Sequence, residues 1–146
     1  MSEFKSDAAE DRRPSVTVTG AGQLTINQGK YTTTEALVSA DTVIMCKLPA
    51  GHVPVDLIVD TDELDTNGTP TLTMKAGLIG GEDMIASSTL GQTAGMARMD
   101  SIAGRRIAPM DVDRLVGLTV TANAATGVVG GVITATLLSR VAGMDD

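Results

Sequence analysis

Aromatic side chains are almost missing from this 146-residue chain, which has one Phe, one Tyr and no Trp. Sugar-binding clefts and single-stranded nucleic-acid platforms rely on stacking rings, so neither role is expected. Positive charge is also scarce: 11 Lys and Arg stand against 18 Asp and Glu, for a net charge of −7. Such a surface repels phosphate backbones, and no nucleic-acid partner is expected. Cysteine and histidine occur once each, as Cys46 and His52. An intrachain disulfide is impossible, and a Cys/His zinc site lacks its ligands. No apolar run approaches the ~18 residues that cross a bilayer, so no membrane partner is expected. The first dozen residues are charged and carry no apolar stretch of the signal-peptide kind, so a soluble, cytoplasmically made protein is expected.

Apolar residues make up 42% of the chain, enough for the core of one domain built from Val, Leu, Ile, Ala and eight Met. They alternate. In 53–60, Val53, Val55, Leu57 and Val59 share one face while Asp56 and Asp60 take the other. In 69–78, Leu72, Met74, Ala76 and Leu78 alternate with Thr71, Thr73 and Lys75. Period-2 patterning marks strands with one buried and one wet face, here read as a hairpin around Asn67-Gly68. Further strands are expected at Ser15–Thr19, Gln23–Asn27, Thr33–Ser39, Thr42–Leu48, Arg114–Asn123 and Val128–Arg140. The total, roughly seven or eight, predicts an all-β fold: a single β-sandwich or jelly roll over residues 15–140. Residues 1–14 read as an extended N-terminal arm and 141–146 as a C-terminal tail. Residues 79–111, rich in Gly and Met, read as one long insertion that either moulds to a partner or folds over the sandwich's own edge. Glu82–Leu90 within it suits a short helix, with acidic residues in the first turn.

Three constellations invite chemistry. Asp56, Asp60, Asp62, Glu63 and Asp65 crowd the turn before Asn67-Gly68, and the Asp60–Asn67 segment is a candidate calcium loop. An EF-hand alignment from Glu63 puts Met74 where a bidentate Glu is required, so that motif fails. A non-EF calcium loop and a capped structural turn both remain open. Val16–Gly22 starts like a dinucleotide fingerprint, but Thr25 stands where the third glycine belongs. Arg98, Arg105, Arg106 and Arg114 form the main basic concentration outside the arm, and pairing with this chain's own carboxylates is the expected fate. Cys46 lies in an apolar run and reads as a buried small hydrophobe. No catalytic, cofactor-binding or metal-ligating residue is assigned, and no cofactor; an enzyme is not expected.

The run Leu48-Pro49-Ala50-Gly51, followed by Asp62, Leu64, Asp65 and then Thr71, Leu72 and Gly77, resembles small virion proteins of tailed bacteriophages. The resemblance extends from near residue 31 to residue 140 and includes the alternating 132–138 segment. It implies a capsid decoration (cement, head-stabilisation) protein with a jelly-roll fold. Such a protein is a homodimer or homotrimer, made in the host bacterial cytoplasm, that binds the major capsid protein on the virion's outer surface. On this reading residues 1–14 order along a neighbouring subunit. The alternatives are a head–tail connector or stopper, and a calcium-stabilised β module of a tail fibre.

Overall fold

The computed structural model describes residues 1–6 and 24–142. The strand expected at 15–19, the glycines at 20–22, residues 7–14 of the arm and most of the C-terminal tail lie outside the described residues. Within them are nine strands and one helical turn: β1 (Glu3–Lys5), β2 (Leu24–Thr32), β3 (Thr42–Leu48), β4 (His52–Thr61), β5 (Thr73–Leu78), β6 (Asp83–Ser88), β7 (Gly95–Arg98), α1 (Ile102–Arg105), β8 (Arg114–Ala122) and β9 (Val132–Val141).

The pairings are nested. β5 and β6 form a hairpin, and outward from it β4 pairs with β7, β3 with β8 and β2 with β9, all antiparallel. The chain is therefore one long antiparallel ribbon. Rolling it up adds the β4–β9 and β5–β8 pairings, which close two sheets. Their orders are β2-β9-β4-β7 and β3-β8-β5-β6, with β1 added in parallel beside β3. Four strands in each sheet with this nesting make a jelly roll. The all-β expectation holds, with nine strands where seven or eight were counted.

The core lies between the sheets and is aliphatic. Leu57, Val59, Met74, Leu118, Val120, Ile133 and Leu137 are among its buried members. Two glycines let the backbones close on β3: a Cβ on Gly29 would stand 2.0 Å from the Met45 carbonyl oxygen, and one on Gly117 2.1 Å from that of Val43. No side chain fits either place.

Three local expectations fail. β4 and β5 alternate as read, but they belong to different sheets and form no hairpin; residues 62–72 carry the chain from one sheet to the other. Thr33–Ser39 is a loop instead of a strand, dropping Leu37 into the core while Thr33 Oγ1 donates to the Val128 carbonyl at 2.8 Å. Glu82–Leu90 is not helical. Met84 and Ile85 are buried in β6, which pairs with β5 through the Ile79–Glu82 turn, where Gly80 adopts φ 74°. The 79–111 segment thus supplies β6 to one sheet, β7 to the other and α1 between β7 and β8.

The start of the chain also packs on the fold. β1 pairs with β3, Ser2 N donates to Asp41 Oδ1 at 2.9 Å, and buried Ser6 reaches the Met45 carbonyl through its hydroxyl. Phe4 packs against Tyr31 with ring centroids 5.5 Å apart, so the chain's two aromatic rings meet. Residues 2–6 therefore lie along this chain's own sheet edge.

Candidate functional site

The acidic turn is built around one carboxylate. Asp65 is inaccessible to solvent (0%) and receives five backbone N–H groups. Oδ1 accepts from Thr126 at 2.9 Å and Asn67 at 3.3 Å; Oδ2 accepts from Thr71 at 2.9 Å, Leu72 at 3.1 Å and Ala125 at 2.9 Å. Asp65 and Gly127 also form an isolated bridge, and Thr66 N donates to the Thr126 carbonyl at 3.0 Å. One side chain thereby ties the crossing between the sheets to the β8–β9 connection. Burial by itself raises the carboxyl pKa, but the N–H groups of Thr126, Ala125, Thr71 and Leu72 outweigh it and hold the group well below the usual carboxylate range.

That geometry bears on the calcium reading. The Asp65 oxygens face N–H donors, an arrangement that favours an anion and leaves no lone pair for a cation. Its neighbours are dispersed. Asp62 Oδ2 accepts from Val132 N at 2.9 Å, Asp56 pairs with Arg98, and Asp60 and Glu63 are exposed. Among the described residues no three His, Cys, Asp or Glu side chains converge as a metal set.

The remaining reactive groups are held in packing roles. His52 Nδ1 lies 3.2 Å from the hydroxyl of buried Ser139. Cys46 is fully buried in β3, and desolvation pushes its thiol pKa up to about 12. A thiol so placed is neutral and a poor nucleophile.

What the molecule offers instead is surface. On the outer face of the β2-β9-β4-β7 sheet, Leu24 and Ile26 are more than half or about half exposed, with Ile26 in register with Leu138. The pattern of β2 is inverted there, since polar Thr25 and Asn27 face inward. Asn27 Nδ2 donates to the Lys47 carbonyl at 3.0 Å, which satisfies it inside. The four methionines of 79–111 divide: Met84 is buried and Met99 packs against the core, while Met96 (68%) and Met110 (50%) are exposed. The four arginines divide as well. Arg98 pairs with Asp56. Arg105, Arg106 and Arg114 make no ion pair among the described residues, contrary to the self-pairing expectation. Sequence carried no signal for that difference, because partner choice depends on which loops the fold brings together.

No protein-family model and no curated protein matches the chain. Solved structures do. A chain in the capsid of Ralstonia phage GP4 superposes with a TM-score of 0.88 at 31% identity, over 97% of this chain and 99% of that one. A chain of the cyanophage Pam1 capsid asymmetric unit superposes with a TM-score of 0.69 at 27% identity, over 88% of this chain and 93% of that one. Likeness of this extent and identity, on a jelly roll whose polar groups serve packing, shows that the chain belongs to a family of phage capsid proteins and is a structural component of the virion.

Proposed function

We propose that this protein decorates and cements the phage head, binding the outer surface of the assembled major capsid protein lattice as a homodimer or homotrimer. It is made in the host bacterial cytoplasm and has no catalytic role. The observation that carries this reading is the end-to-end likeness to a chain of a phage capsid. The described residues form one jelly roll of two four-stranded sheets with β1 added at an edge. Its buried polar groups, Asp65 above all, hold loops together. Exposed apolar residues occur on β2 (Leu24, Ile26), on β7 (Met96) and before β8 (Met110, Val112), as suits several modest contacts repeated around a symmetric shell, where avidity multiplies weak binding. A calcium-stabilised module is disfavoured by the N–H cradle around Asp65.

Copy number in purified particles tests the reading against a connector or stopper. A lattice-decorating protein is present in hundreds of copies, whereas a ring at the head–tail junction holds on the order of a dozen. Quantitative mass spectrometry of intact virions, normalised to the major capsid protein, distinguishes the two.

A further inference from the structure

Arg114, the first residue of β8, carries a guanidinium whose Nε and Nη2 are buried and find no hydrogen-bond partner among the described residues. The residue is half-buried, and guanidinium nitrogens shut off from water without a hydrogen bond are costly, so folded chains rarely retain them. It lines a recess of about 300 Å³ with Leu78, Ile79, Ala108 and Met110. Glu82 borders the same recess but makes no ion pair with it.

A second recess of about 330 Å³ shares Ala108 with the first. Arg105, Arg106 and Arg140 surround it, with Val53, Pro54 and Pro109 forming an apolar wall. The 107–110 connection between the two recesses is pinned: Gly51 N donates to the Met110 carbonyl at 2.8 Å, and Ala50 N to Asp113 Oδ1 at 2.8 Å. Arg105 and Arg106 are exposed, as is half of Met110. A chain of net charge −7 thus gathers four of its arginines around two adjoining recesses on one held connection.

We propose that this two-recess face docks an acidic segment of a partner protein, with one carboxylate reaching Arg114 and another the Arg105–Arg106 recess, while an apolar side chain rests on Ala108 and Met110. A carboxylate beside Arg114 offsets its partly buried charge, the exposed forks of Arg105 and Arg106 match a carboxylate in two parallel hydrogen bonds, and the apolar walls suit the stem of an amino-acid side chain. A nucleic-acid strand fits poorly. Its phosphates need a continuous basic track, whereas Glu82, Asp111 and Asp113 interrupt this one. The proposal supplies a contact for the capsid-binding reading and rests on that reading only for where the acidic segment comes from.

The test uses the full chain, a dye-labelled peptide alternating Glu and Leu, and an oligo-thymidine of equal length. The wild type binds the peptide saturably, with affinity that falls as salt rises. Arg114→Met weakens that binding at least tenfold while the melting temperature stays level or rises, because an unpaired guanidinium has been replaced by an apolar chain. Arg105→Gln with Arg106→Gln weakens it comparably at unchanged melting temperature. Three outcomes overturn the proposal: no peptide binding by the wild type, tighter binding of oligo-thymidine, or an Arg114→Met protein that binds normally. A lowered melting temperature in Glu82→Gln also overturns it, since Arg114 would then be paired within the chain. On shells, the same variants lose occupancy that the wild type attains; a wild type that binds peptide but no shell refutes the capsid-binding reading instead.

Discussion

Replacing Asp65 by Asn is the sharpest probe of how the roll is held closed. The side chain keeps its shape but loses its charge and one acceptor oxygen. The amide nitrogen costs least when it takes the Oδ1 position, where it gives up the bonds from Thr126 and Asn67 and sets donor against donor. The remaining oxygen still receives Thr71, Leu72 and Ala125, now without a full negative charge. Bonds to a charged group contribute about 1.5–3 kcal/mol each, and water entering the loosened loops recovers part of the loss, so the net cost is about 3 kcal/mol. For a domain of this size that lowers the melting temperature by roughly 6–12 °C. Far-UV circular dichroism is the suitable probe, because the chain has no Trp and one Tyr.

The pH dependence gives an independent check. The folded-state pKa of Asp65 is depressed below its ordinary value of 3.8, so the stabilisation is complete above that value and is lost as pH falls through it towards the folded pKa. Wild type and Asp65→Asn should therefore differ most near neutrality and converge in acid, from about pH 5 downward. A variant as stable as the wild type at neutral pH, or a gap that persists unchanged into acid, would refute the cradle as a stabilising element.

Gly117→Ala should fold poorly or not at all: its Cβ would meet the Val43 carbonyl oxygen at 2.1 Å and Ile44 Cα at 2.9 Å, which are backbone atoms that cannot step aside, and a cost of about 3 kcal/mol or more is expected in urea denaturation. Wild-type stability would mean that β3 and β8 are not so closely paired. Phe4→Ala should lower stability by about 1–2 kcal/mol through loss of the Tyr31 contact, independently of protein concentration. A concentration-dependent effect would instead assign β1 to a neighbouring copy. Cys46 should resist Ellman's reagent at mildly alkaline pH until the protein is unfolded, given its burial and its pKa of about 12; labelling of the native protein at the rate of a free thiol would contradict its placement.

Strands whose inner and outer faces differ were legible in the sequence. β8 and β9 lie close to where alternation placed them, because their registers set apolar Leu118, Val120, Ile133, Ala135 and Leu137 inward, while β3 was legible as an apolar run that is buried on both faces. Connections decided by distant partners were not legible. Asn67-Gly68 carries a local turn signal, yet the chain leaves one sheet for the other there because Asp65 is held by N–H groups sixty residues away, at Ala125 and Thr126. The nested pairing of Leu24 with Arg140 and of Thr42 with Thr119 leaves no trace in either segment alone. Glu82–Leu90 has helical composition, and tertiary burial of Met84 and Ile85 against β5 overrides it. The Asp65 cradle was half legible: the sequence marked the acidic turn, but whether metal or backbone N–H groups neutralise it depends on which loop arrives opposite.

Attachment to the outside of a phage shell can be measured by adding the purified protein to shells that lack it. Saturable co-sedimentation at a fixed ratio to the major capsid protein is expected, with density on the outer surface in cryo-electron microscopy and a higher shell melting temperature. A protein that stays in the supernatant at every concentration, or that appears only at a single vertex, would contradict it.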